Sequence, residues 1–133
     1  MDRHGIPLGA ATDGAGVHAV NLAPAALADV PQTLPMPWPV PVLADRAYDS
    51  DPLRESLADD GFALVARHRS NRTRPATADG RTLRRLKRRW VVERTFAGLK
   101  SFRRVATRYE RRCDPYDGFV SLACAFIALN RLL

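Results

Sequence analysis

Residues 40–67, VPVLADRAYDSDPLRESLADDGFALVAR, decide the fold. VPVLA is an apolar run of strand length. Ser50 or Asp51 offers an N-cap for the helix PLRESLADD, and Pro52 suits its first position. Gly61 ends that helix, and FALVAR is a second strand-length run before the polar loop HRSNRTRPATADG. Strand, helix, strand predicts an α/β arrangement with parallel pairing, because a helical crossover brings the second strand back in the same direction. In such a sheet a ligand or metal commonly sits just past a strand's C-terminal end. Asp45 stands there, with Arg46, Tyr48, Asp49 and Asp51 following.

Working outward, residues 1–22 alternate the pieces IPLGAAT and GVHAV with Gly5, Gly9, Gly14 and Gly16, which predicts a strand pair. Residues 23–30, APAALADV, suit a short helix. Residues 31–41, PQTLPMPWPVP, hold five prolines and read as an extended connector into the buried strand VPVLA. Residues 82–112 form the basic segment, helical from Thr82 to about Phe102. Residues 116–133 end in DGFVSLACAFIALNRLL, an apolar helix expected to be buried. A length of 133 residues, 46% of them hydrophobic and 26% charged, fits one globular domain with one core.

Several chemistries are excluded. No apolar run approaches the roughly 18 residues of a membrane span, and MDRHGIPLG lacks the layout of a secretory signal, so the chain reads as cytosolic. Cys113 and Cys124 match no metal or redox spacing, and His4, His18 and His68 are too scattered for a zinc site. A Gly-rich phosphate loop and a nucleophile elbow are both missing, which argues against nucleotide hydrolysis and acyl transfer.

Charge points to a partner. Residues 67–112 hold 17 of the 21 Lys and Arg against three acids, Asp79, Glu93 and Glu110, whereas residues 1–66 hold three Arg against nine acids. A dense arginine block is the footprint of a polyanion, since guanidinium grips phosphate bidentately and each contact releases counterions. Nucleic acid is the expected partner, unless the block is only a solvated face.

Within that block RRLKRRWVVERTFAGLK holds a single acid, Glu93. On a helix Arg89, Lys100 and Leu86 would fall within about 40° of it, with Val92, Phe96 and Leu99 beside that face as the packing surface. By itself Glu93 would be a surface ion pair with Arg89 or Arg94.

Together, LADRAYDSDPLRESLADDGF and RRWVVERTFAGLKSFRRVATRYER resemble insertion-sequence transposases with an acidic DDE triad on a ribonuclease-H-like fold, the insertion-sequence-five group in particular. DRHGIPLGAAT and the apolar C-terminal helix are similar to that family as well. Its signature of Arg, three residues, Glu, six residues, Lys is met at Arg89, Glu93 and Lys100. The resemblance implies metal-dependent phosphoryl transfer on DNA, with Mg²⁺ or Mn²⁺ held by carboxylates. Asp45 would be the middle ligand and Glu93 the last. Arg89 and Lys100 would contact phosphates near the cleaved bond, joined on the DNA face by Trp90, Arg94, Arg103 and Arg104. Asp49 and Asp51 would set the turn and cap the helix.

Two positions depart from the family pattern. Leu86 stands where the family has a tyrosine. The family's first aspartate precedes the segment that DRHGIPLGA resembles, and Asp2 and Asp13 lack its strand context. The resemblance therefore implies the C-terminal part of a catalytic domain, incomplete at its first strand, whether as a truncated copy, a mis-assigned start or a second-frame product working with an upstream one. Little strand transfer is expected from it alone. The partners implied are inverted-repeat ends, target DNA and a second copy of the chain. Other readings are a non-catalytic DNA-binding remnant or regulator, a nuclease unrelated to transposition and, last, a helix-turn-helix module.

Overall fold

The computed structural model describes residues 1–14, 16–31, 33–77 and 79–133. Positions 15, 32 and 78 belong to the expected strand pair, connector and polar loop, and those parts of the expectations lie outside the described residues. Where the length suggested a single core, the chain divides into two compact units, Thr33–Arg88 and Met1–Gln32 with Arg89–Leu133.

The Thr33–Arg88 unit is built on β1 (Val40–Leu43) and β2 (Phe62–Val65), paired in parallel from Val40 opposite Phe62 to Leu43 opposite Val65. The connecting helix α2 spans Asp51–Asp59. Ser50 caps it, its hydroxyl accepting from the Leu53 N–H, and Pro52 lies in its first turn. Gly61 follows at φ +80, the left-handed conformation that ends a helix without a Cβ penalty. Leu53 and Leu57, one turn apart on α2, are buried with Phe62, Val65, Ala66 and Leu86. Strand β1 is only half-buried, not the buried strand expected, and Leu43 is exposed. The residues before it, 33–39, carry no helix or strand, as their prolines require.

The basic segment is not one helix. It runs as α3 (Gly80–Leu83), a 3-10 turn (Arg84–Arg88), α4 (Arg89–Lys100) and α5 (Arg103–Ala106). Arg81, Arg84, Arg85, Lys87 and Arg88 are all exposed, and stacking like charges three and four apart disfavours a continuous helix. The tighter turn also lets Leu86 reach the core while the cations around it stay in water.

The helical unit holds α1 (Ala19–Ala28), α4, α5 and α6 (Cys113–Leu132), with α6 packed on α4 and α5. Its N-terminal segment forms no strand pair among the described residues. The Asp2 carboxylate accepts from the His4 and Ile6 N–H groups and shapes a turn instead. Side chains then take the carbonyls a ladder would have used. Arg94 and Arg131 donate to His4 O, and Thr95 Oγ1 donates at 2.9 Å to Gly5 O. The buried face of α4 is Val91 and Thr95, with Gly98 close to Ile127 of α6, while Val92 and Phe96 are exposed. This overturns the expected packing face of Val92, Phe96 and Leu99. Helix α6 is buried on the stripe Val120, Ala123 and Ile127 only, and Leu122, Leu129 and Leu132 face solvent. Among the described residues no helix is long and apolar enough to cross a membrane.

Gly5, at φ +85, gives the sharpest test of this packing, since a Cβ there would lie 2.6 Å from Thr95 Oγ1. Gly5→Ala should lower the unfolding free energy by about 2 kcal/mol or more, measured by urea denaturation.

Candidate active site

Asp45 follows β1 directly. The Ala44 N–H bonds Val65 O at 3.0 Å, extending the sheet by one link, and the chain then turns through a 3-10 helix, Arg46–Tyr48, with Asp45 as its N-cap. Asp45 Oδ1 accepts from the Ala47 N–H at 2.8 Å, which fixes the carboxylate at the strand end while leaving it exposed. The Tyr48 phenol is pushed above its ordinary range, first by burial and then by the Asp45 charge, so it stays neutral beside the carboxylate.

Asp49 behaves in the opposite way, with only 2% of its side chain exposed. Its Oδ2 accepts from the Arg69 N–H at 2.7 Å and its Oδ1 meets His68 Nδ1 at 3.0 Å. Arg54 Nη2, itself buried, lies 2.8 Å from Oδ1 as an ion pair without hydrogen-bond alignment, and Arg72 approaches the same oxygen. Burial by itself would raise the Asp49 carboxyl, but the bonds from Arg69 and His68 and the Arg54 charge outweigh it and hold the group well below the usual carboxylate range. Asp51 takes Arg54, Arg72 and Arg74 and is lowered chiefly by Arg72. The Thr77 N–H donates to His68 Nε2, so His68 donates to Asp49 through Nδ1, and both ring nitrogens are satisfied.

This network was not legible as such, because Arg69, Arg72 and Arg74 read as part of the polyanion footprint. The available signal was the pair Asp49 and Asp51 ahead of an arginine-rich loop in a strand, helix, strand unit. Beyond a turn and a cap, these acids hold the loop of residues 67–77. Among the described residues of this unit, the cations left in water include Arg46, Arg67, Arg81, Arg84, Arg85, Lys87 and Arg88.

Glu93 lies on α4 on the side opposite Val91 and Thr95, about 160° from each, with 70% of its side chain exposed. Arg89 Nη2 stands 4.0 Å from Glu93 Oε1, so the structure brings that predicted pair together loosely. Lys100 is exposed at the end of the same helix. Leu86 does not share this helix, because α4 begins at Arg89 and Leu86 is buried.

The remaining predicted DNA contacts divide. Trp90 is 56% exposed with Arg94 over its ring at 4.9 Å, and Arg94 also donates to His4 O, so Arg94 is engaged within the fold. Arg104 pairs with Glu110 at 2.7 Å and covers Phe119, whereas Arg103 is exposed. Asp13, like Asp2, bonds a local N–H, that of Gly14. Among the described residues no three His, Cys, Asp or Glu side chains are grouped as a metal would require. The thiols are free, and burial pushes Cys124 up, away from reactivity.

Residues 1–125 match the family described as the Transposase DDE domain. The chain belongs to this family. Over 98% of its length it is 38% identical to a Burkholderia cepacia protein provisionally named transposase for insertion sequence element IS402, and it spans 61% of that relative's length. Over 67% of its length it is 41% identical to a Brucella ovis protein provisionally named transposase for insertion sequence element IS6501, spanning 67% of that chain. No solved structure matches. The α/β order of the Thr33–Arg88 unit is compatible with membership in this family.

Asp49→Asn should cost about 3 kcal/mol at neutral pH, because Arg54 and Arg72 lose a buried counter-charge. The depressed Asp49 carboxyl contributes stability that is complete above the ordinary carboxylate range, near 3.9, and lost as pH falls below it. Urea melts of both proteins should therefore differ fully at pH 7 and begin to draw together only below about pH 4, with most of the difference still present at pH 3.

Proposed function

We propose that this chain supplies two carboxylates, Asp45 and Glu93, to metal-dependent phosphoryl transfer on DNA at insertion-sequence ends, within a ribonuclease-H-like catalytic domain. The observation that carries the reading is the contrast inside one acidic cluster. Asp49 and Asp51 are locked by cations, while Asp45, at the strand end, is exposed with one oxygen held by a backbone N–H and no cation on it. Glu93 is likewise exposed, on α4, with only the loose Arg89 pair near it.

Exposed carboxylate oxygens suit a hard divalent cation, Mg²⁺ or Mn²⁺. Such a cation activates the attacking oxygen and steadies the leaving one. The chain's own residues hold the donors in place. The 3-10 turn orients Asp45, and the Val91 and Thr95 face of α4 turns Glu93 outward. Arg89 and Lys100 contact DNA phosphates on the Glu93 helix, and Trp90 and Arg103 extend that contact. Asp2 and Asp13 are tied up in local turns, so two ligands leave the cation loosely held and this chain alone carries little strand transfer. The working protein acts on inverted-repeat ends and target DNA in the bacterial cytoplasm as a dimer.

The second reading, a DNA-binding remnant or regulator, is favoured by the exposed cations Arg81 to Arg88, which need no metal to grip phosphate. One titration separates the two. Binding of an insertion-sequence-end duplex, followed by fluorescence anisotropy across salt concentrations, should weaken steeply with salt. Replacing Arg84, Arg85, Lys87 and Arg88 by Gln should flatten the logarithmic slope by about 3, and Arg72→Gln should leave it nearly unchanged. Mg²⁺-dependent nicking of that duplex, lost on Asp45→Ala or Glu93→Gln, supports the catalytic reading. Binding without nicking, in a longer protein restoring the relatives' length, supports the remnant.

A further inference from the structure

We infer that Arg69 is a positioning residue for Asp45, acting through the backbone of the turn that Asp45 caps; the functional sense of this rests on the reading of Asp45 as a metal ligand. The turn Arg46–Tyr48 is a single 3-10 turn at the end of a four-residue strand, and such a turn has little stability of its own. Arg46 O accepts the turn's own bond from the Asp49 N–H, and Arg69 adds a second donor there and takes the neighbouring Ala47 O. Arg69 Nη2 donates to Ala47 O at 2.7 Å, and its Nε reaches Arg46 O at 3.4 Å. The fork geometry of guanidinium spans two neighbouring carbonyls where one ammonium could not.

Arg69 is itself held from behind. Its N–H donates to the buried Asp49 carboxylate, and the adjacent His68 bonds the same carboxylate through Nδ1 and the Thr77 N–H through Nε2. The loop after β2 therefore grips the loop after β1 from two sides, by the Asp49 side chain and by the carbonyls of residues 46 and 47. Ala47 is the residue whose N–H fixes Asp45 Oδ1, so the same peptide chain that Arg69 clamps sets the carboxylate rotamer. Arg69 lies in the basic block that composition assigns to DNA, yet its side chain is directed into the protein backbone.

Amide hydrogen exchange with Mn²⁺-induced line broadening on the full chain tests this by NMR. In Arg69→Ala the Ala47 amide should exchange about tenfold faster, the loss of roughly one hydrogen bond, with Leu57 and Val65 still protected. The Mn²⁺ concentration that half-broadens the Ala47 and Tyr48 amides should rise by a similar factor. Arg69→Lys, able to reach one carbonyl, should restore part of both. Unchanged Ala47 exchange, or a change equal to that of Leu57 and Val65, would overturn the inference. Should Arg69→Ala not fold, Arg69→Gln keeps one donor and carries the same comparison. Absence of Asp45-dependent broadening in the unmodified protein, checked with Asp45→Asn, would sink the metal reading, while Ala47 exchange still decides the positioning role.

Discussion

The buried Asp49 carboxylate is the constraint on which the Thr33–Arg88 unit depends. Two parallel strands of four residues and one short helix bury too little apolar surface to hold a loop as long as residues 67–77. A charge removed from water must be matched or it unfolds its surroundings. Asp49 meets that demand with His68, the Arg69 N–H, Arg54 and Arg72, drawn from α2 and from the loop after β2. The loop is thereby ordered by electrostatics where the hydrophobic core stops. Asp45 gains a fixed turn as a result, without any cation on its own oxygens.

The same demand sorts the arginines. Composition counts every Lys and Arg of residues 67–112 as one polyanion footprint, but charge is used in two ways along it. Arg69 and Arg72 face carboxylates and carbonyls of the fold, and Arg94 and Arg108 do so in the helical unit. The segment around Leu86 keeps its cations in water by abandoning the α-helix for a 3-10 turn. The phosphate contacts proposed above fall on this second class and on Arg89, Lys100 and Arg103.

Legibility followed the physics of each segment. Residues 40–67 could be read because local signals agreed: two strand-length apolar runs, Ser50 at the N-cap, Pro52 in the first turn and Gly61 at the left-handed stop. The strand pair expected in residues 1–22 failed because glycine punctuation signals a close approach as readily as a hairpin. Gly5 meets Thr95, and Gly9 lies where a Cβ would be 2.4 Å from Ala26 O. The exposure of Glu93 could be expected, but the packing face of its helix could not, since Thr95 is polar and its burial is matched by Gly5 O, 90 residues away, as well as by Val91 O. Of the candidate site, spacing and family resemblance pointed to Asp45, Glu93, Arg89 and Lys100, and the structure leaves all four exposed. The Asp49 network needed three-dimensional contacts that spacing does not encode.

The central claim is that, within the acidic cluster after β1, Asp45 and not its neighbours receives the divalent cation. Iron-directed hydroxyl-radical cleavage tests it directly, with Fe²⁺ replacing Mg²⁺ in the full chain and the fragments read by mass spectrometry. The account expects backbone cleavage within a few residues of Asp45 that is abolished by Asp45→Asn and retained in Asp51→Asn. Cleavage there that survives Asp45→Asn, or is lost only with Asp51, would contradict it.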